Sequence, residues 1–445
     1  MSATAENFST LFQASRDQLP GADDATVAAL RDKAMDSFSG SGLPSKRQEA
    51  WRYTDVSALA GVAFATRREL PALDQALSDL RSRYTLNGAL VLAFVDGVFD
   101  AGASNVSTLP EGLELATLDS DGAALKRLGE QDAATASEPF TALNTAFTTT
   151  GAVISVARGA AISTPLQIIH VATRADSGAG DSAVMANPRL EISMAPGSSL
   201  ELVEVFLGAG DTANFNNCVT EISLADSARL AHLKVQQEAD AAWHIAATRV
   251  RQEAGSHYAV QSIAIGGGTA RQDIAIALNG RGAEAELSGL YLADGRRHTD
   301  HRLLIDHDAV ETISDQNFKG ILGDRARGVF NGKVVVQQDA QRIRADQSNR
   351  NLLLSELAEA NTKPELEIYA DDVKCSHGAT VGQLDETALF YLRSRGIPLD
   401  VARALLTYAF ARDIIDGIRY PSLKQCLMDD VLGHLPQTEE VKELL

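Results

Sequence analysis

The chain has 445 residues, 45% of them hydrophobic and 22% charged, a balance that excludes wholesale disorder. The length exceeds one ordinary compact core, so two or three structural units are expected. Its 40 Lys and Arg against 59 Asp and Glu give a net charge of −19, which argues against nucleic acid or an anionic membrane as the main partner.

The first predicted element is a helix carrying Val27, Leu30, Ala34 and Phe38 at helical spacing, with Asp23 or Asp24 as its N-cap and Gly40, Gly42 and Pro44 ending it. Leu90, Val91, Leu92 and Phe94 read as a buried strand, and Asp96-Gly97 as a hairpin turn before Val98. Residues 102–137 are polar and read as a surface connection. From about residue 151 to 370 a period of two dominates, as in Leu190/Ile192/Met194, Ala231/Leu233/Val235, Ile274/Ile276/Leu278 and Leu366/Ile368. Turn residues punctuate this stretch, among them Gly197, Asp226, Gly255, Gly266-Gly267-Gly268, Gly280, Gly295 and Gly320. Sandwich, barrel and solenoid all satisfy that pattern.

Helical spacing returns after Gly382. Ala402, Leu405, Leu406, Ala409, Phe410, Ile414 and Ile418 form one apolar stripe, with Asp400 as a possible cap, and Pro421 opens a further helix bearing Leu423, Cys426, Leu427 and Val431. The predicted division is residues 1–150 as a helical and small α/β domain, 151–382 as the β core, and 383–445 as a helical domain.

Few local patterns carry chemistry. In Cys375-Ser376-His377 on a strand, the thiol and imidazole share a face with Val373 and are suitable donors for iron, zinc or a cluster. One Cys and one His fall short of four ligands, so a metal site here needs distant residues or a second chain. His298 and His301 are three apart and point to opposite faces of a strand, so with His307 they read as polar residues around a turn. Gly328-Val329-Phe330-Asn331-Gly332-Lys333 fails as a phosphate loop in spacing and lacks Ser or Thr after Lys333. No G-x-S-x-G elbow occurs, and Gly289 reads as a turn glycine. Cys218 and Cys426 read as core residues. The three cysteines make no disulfide framework, no apolar run approaches a membrane span, and residues 1–10 lack a signal-peptide pattern; a cytoplasmic protein is expected.

The run Tyr369-Ala370-Asp371-Asp372-Val373-Lys374-Cys375-Ser376-His377-Gly378, with Thr362-Lys363-Pro364 before it, resembles the SufB/SufD family of iron–sulfur cluster assembly proteins. The similarity continues through Leu389-Phe390-Tyr391-Leu392-Arg393-Ser394-Arg395-Gly396-Ile397 and includes Leu143-Asn144, Tyr291-Leu292, Val329-Phe330-Asn331-Gly332-Lys333 and Asn351-Leu352-Leu353. Lys374-Cys375-Ser376-His377-Gly378 and the N-terminal Arg47-Gln48-Glu49-Ala50-Trp51-Arg52-Tyr53-Thr54 resemble the SufD branch.

The resemblance implies a mainly β fold, a right-handed parallel β-helix flanked by N-terminal and C-terminal helical domains. It implies a non-enzymatic, non-ATPase scaffold that pairs with SufB and binds the separate ATPase SufC. No cofactor is expected to be held tightly by the isolated chain, with an iron–sulfur cluster held transiently in the complex. His377 takes the main role at that shared site and Cys375 a secondary one, with ligand and proton-relay roles both open. The SufC contact is implied at Phe390, Arg395, Gly396, Ile397, Leu405 and Leu406. The edge that pairs with SufB also permits a homodimer of the isolated chain. Two other readings stand beside this one: a solenoid carbohydrate-active enzyme using Asp300, Asp306 and Asp308, and a purely structural partner of SufB.

Overall fold

The computed structural model describes residues 5–118, 125, 138–173, 182–210, 213–436 and 438–444. The alternating segments wind into a parallel β-solenoid of about seven turns, in which each turn gives one strand to each of two sheets. The first sheet ends in Arg327–Val336 and Glu359–Ile368, and the second in Ile343–Leu353 and Val373–Gly382. Register is held from turn to turn, so equivalent residues stack in rows. One inward row of the first sheet reads Ile154, Ile192, Ile222, Val250, Ile276, Ile305, Val334 and Leu366. Each fully buried aliphatic side chain in such a row contributes about 1.5–3 kcal/mol.

The sheets are covered outside as well as packed inside, as parallel sheets require. Phe8, Phe12, Phe38, Leu143 and Phe147 from the N-terminal helices cover Met185, Phe215 and Ile245 of the first sheet. Ala411, Ile414, Ile415, Leu423, Leu427 and Val431 from the C-terminal helices cover Val205, Leu233, Val235, Ile263, Leu290 and Ile321 of the second. Leu233 and Val235 therefore belong to an outer face, and on the same strand Leu230 faces the interior core.

Several local expectations shift. Asp24, rather than Asp23, caps the helix Ala25–Ser41 by accepting from the Thr26 and Val27 amides, and Gly40 lies inside that helix. Val95 and Val98 pair across Asp96-Gly97 as expected, but Leu90–Val95 joins the second sheet beside Leu166–Ala172. The stretch expected as a surface connection contains the strand Leu113–Thr117; residues 119–124 and 126–137 of it lie outside the described residues. Gly289 and Gly320 sit in strands rather than turns, where an added Cβ would meet the rings of Phe318 and Tyr291. Several corners instead use Ser227, Glu311, Asp324 and Arg342 in the left-handed region. The turns thus share a conformation without sharing a residue, which is why no repeat is visible.

The C-terminal segment folds as Glu386–Ser394, Leu399–Ile415, Pro421–Gly433 and Thr438–Leu444. Pro398 stands at the N-cap of the second helix and Asp400 lies in its first turn. That helix packs on the solenoid on one side and on its neighbouring helices on the other. Its buried residues are accordingly Val401, Ala402, Ala404, Thr407, Ala411, Ile414 and Ile415, while Ala409 is exposed. Cys426 is only partly buried, its Sγ donating to the Arg83 carbonyl at 3.2 Å. Cys218 is buried in a strand, where burial pushes its thiol well up. Among the described residues no helix is long and apolar enough to cross a membrane.

Candidate functional site at the open end of the solenoid

Among the described residues the strand Val373–Gly382 pairs only with Ile343–Leu353, and no strand occupies its other edge. Glu359–Ile368 likewise ends the first sheet. Cys375 stacks on Ala345 and His377 on Gln347, both of which are buried inside the solenoid. The thiol and the imidazole therefore stand in inward-facing rows at the mouth, where no further turn covers them. Cys375 is half-buried beside Ala345, Ile343 and Val336, and burial raises its thiol, with Asp346 adding to the rise. His377 is exposed. Between them Ser376 points to the opposite face and donates to Asp346 Oδ1 at 2.6 Å. The rim also exposes Ile368, Tyr369 and Val381.

The row behind His377 reads Leu202, His232, Val260, Leu287, Gln316, Gln347 and His377. The row is thus apolar at Leu202, Val260 and Leu287 and polar at His232 and again from Gln316 out to His377. Deeper in, Lys234 Nζ donates to Glu204 Oε2 at 2.6 Å and His232 lies 3.2 Å from the same oxygen. Burial alone would raise Glu204, but Lys234 and His232 outweigh it and hold the carboxyl well below its usual range. Sequence reasoning missed this polar row. Its members are about 30 residues apart, and only stacking at the pitch of the solenoid brings them together.

The other candidates disperse. His298 lies on the outer face against Thr54, whereas His301 and His307 are buried inside, so the three histidines do not converge. Asp300 is buried and paired with Arg271, and Asp306 lies six residues further along the strand, about 20 Å away. These carboxylates do not line one groove. Gly328–Lys333 lies within the strand Arg327–Val336 and forms no loop. Among the described residues there is no group of three or more His, Cys, Asp or Glu placed to hold a metal ion. Cys375 and His377 are two donors, short of the four a cluster ordinarily takes.

The residues expected to meet the ATPase also divide. Phe390 is 73% exposed on Glu386–Ser394, and Arg395 and Gly396 are exposed beyond it. Ile397 and Leu405 pack against Val401, Ala404, Leu432 and Leu435, and Leu406 is half-buried. The exposed end of this helical segment is thus available to a partner, and its second helix is engaged internally.

A solenoid with two family-signature blocks, one at its open end and one laid along its first sheet, matches a known family. Residues 174–410 match the SUF system FeS cluster assembly SufBD core domain, and residues 2–168 match the SufBD protein N-terminal region. The chain belongs to the SufBD family, and its role is in iron–sulfur cluster assembly. The iron–sulfur cluster assembly protein SufD of Escherichia coli is 32% identical over 401 residues, covering 89% of this chain and 90% of that protein. An iron–sulfur cluster assembly SufBD family protein of Synechocystis is 32% identical over 427 residues, 92% of each chain. The chloroplastic protein ABCI7 of Arabidopsis thaliana is 28% identical over 415 residues, covering 91% and 86%.

Proposed function

We propose that this chain is the SufD-type scaffold subunit of an assembly complex, itself without ATPase or other enzymatic activity. It pairs with SufB through the free edges of Glu359–Ile368 and Val373–Gly382 and binds SufC through its C-terminal helices. One observation carries the reading: Cys375 and His377 stand together at the uncovered mouth of the solenoid, flanked by unpaired strand edges. Unpaired edges are templates for another strand, and a related solenoid offers one of matching pitch. A partner docked there would bring its own donors to His377 and Cys375. The cluster is then built as cargo on the pair, bound transiently by ligands from both chains.

His377 is the principal group in this reading. Its neutral imidazole can bind iron or carry a proton during sulfur transfer. Cys375 is secondary, because burial keeps its thiol protonated and therefore a poor ligand until a cation or metal arrives. The test is His377→Ala in the complex co-expressed with SufB and SufC. Normal subunit stoichiometry with collapsed iron and sulfide content supports the assignment, and Cys375→Ser should lose less. Wild-type cluster content in the His377→Ala complex would refute it and leave the purely structural role.

A further inference from the structure

Gln347 lies on the rung directly behind His377, and Gln316 on the rung behind that. Gln347 is 3% exposed, and its Nε2 donates to Gln316 Oε1 at 2.8 Å. Gln347 Oε1 is buried and has no hydrogen-bond partner. An orphaned buried acceptor of this kind is destabilising until it finds a donor. The carboxamide nitrogen is engaged by the rung behind, and the oxygen is the unused group nearest in register to the rung in front, where His377 stands. The opposite sheet makes room for this arrangement. A Cβ at Gly332 would lie 2.2 Å from Gln347 Nε2, so only glycine leaves the carboxamide its place.

We propose that Gln347 is a positioning residue for His377. Its unpartnered Oε1 is the acceptor for one imidazole N–H when the His377 ring turns in at the solenoid mouth. A neutral imidazole has one N–H and one lone pair, and a fixed acceptor for the N–H decides which nitrogen carries which. The second ring nitrogen is thereby left with its lone pair facing out of the mouth, toward the docked chain. Metal-binding histidines are held in the same manner by a second partner on the far nitrogen. A neutral amide does this without the strong rise in imidazole basicity that a carboxylate would cause. The importance of this pairing rests on the reading of His377 as the functional group; the register and the orphaned acceptor do not.

The test uses the full-length chain labelled with 15N at its nine histidines, with the His377 signal assigned by its loss in His377→Ala. Wild type is expected to show one dominant neutral tautomer at His377. Gln347→Leu should relax it to a mixture, and Gly332→Ala, acting from the opposite sheet, should do the same. Gln347→Glu, which keeps an acceptor at the same place, should keep one tautomer. In the co-expressed complex, Gln347→Leu should lower cluster content by roughly tenfold with stoichiometry unchanged. A tautomer mixture in wild type overturns the proposal without any variant having to fold, and so does an unaltered spectrum in Gln347→Leu. If His377→Ala assembles clusters normally while the tautomer still follows Gln347, the functional reading fails and the positioning stands. If His377→Ala collapses cluster content while Gln347→Leu leaves the tautomer unmoved, the reverse holds.

Discussion

The Arg271 guanidinium lies over the Trp51 ring, 3.9 Å from its centroid, and donates to Asp300 Oδ2 at 2.5 Å. Thr54 donates to the same carboxylate, so the N-terminal signature is fastened to the first sheet at both its indole and its hydroxyl. Lys363, on the last strand of that sheet, reaches back to Glu49 at 2.8 Å. Asp300→Ala leaves the buried Arg271 guanidinium only its longer pairing with Asp273, at 3.4 Å, and should cost about 3 kcal/mol. Trp51→Leu removes only the stacking face and should cost about 1–2 kcal/mol. Urea midpoints of the two variants check the order.

Acid should destabilise the chain well before its carboxylates titrate. His170, His301 and His307 are buried, and burial lowers each to about 4. Unfolded histidine titrates near 6.5, so between about pH 6.5 and 4 the unfolded chain binds protons that the native one refuses. Stability therefore falls as pH falls through that window, by up to about 1.4 kcal/mol per pH unit for each histidine. Glu204, held low by Lys234 and His232, stabilises above the unfolded carboxyl value and is lost only as pH falls further. Denaturant midpoints across the window give the slope. His301→Leu should flatten it by about one proton, because both its ring nitrogens are buried without partners.

Phe390→Ala is the clean probe of the proposed ATPase contact. An exposed side chain contributes little to the fold, so stability should change by less than about 0.5 kcal/mol. Affinity for SufC should fall at least about tenfold if this ring anchors the interface. Truncating the helices beyond Gly396 would instead uncover Leu233, Val235 and Leu290 and confuse unfolding with lost binding. Calorimetric titration of SufC into wild type and Phe390→Ala decides the matter. Equal affinities would remove Phe390 from the contact.

Val381→Lys tests the open edge. Val381 faces the mouth and is exposed, so the substitution leaves the core untouched. It should abolish co-purification with SufB and dissociate the homodimer expected of the isolated chain, both read by sedimentation velocity. A variant that still pairs normally would place the partner elsewhere.

Much of the fold was legible because its signals are local. The inward rows of Leu190, Ile192 and Met194 and of Ile274, Ile276 and Leu278 alternate cleanly, and the Asp96-Gly97 turn requires a positive φ at both residues, which it has. Leu233 and Val235 misled because a parallel strand covered on both faces has two apolar sides, and periodicity cannot say which is inward. Leu405 and Ala409 misled for the same reason on a helix with two packed faces. At the site, the Cys375–His377 spacing revealed the shared strand face. Gln347 and Gly332 carried no signal in the linear chain. Their meaning depends on neighbours a full turn away and on the sheet opposite.

The free edge of Val373–Gly382 also fixes where the molecule breathes. In a solenoid each turn is held mainly by the turns on either side, so cooperativity runs along one axis. A terminal turn has one neighbour where interior turns have two. Deuterium uptake should therefore be fastest at Val373–Gly382 and Glu359–Ile368, and slow progressively toward Trp243–Gln252. The residues proposed to meet the cargo thus lie on the least stable part of the core, and a chain docked on the next position in the stack would also set the rigidity of His377.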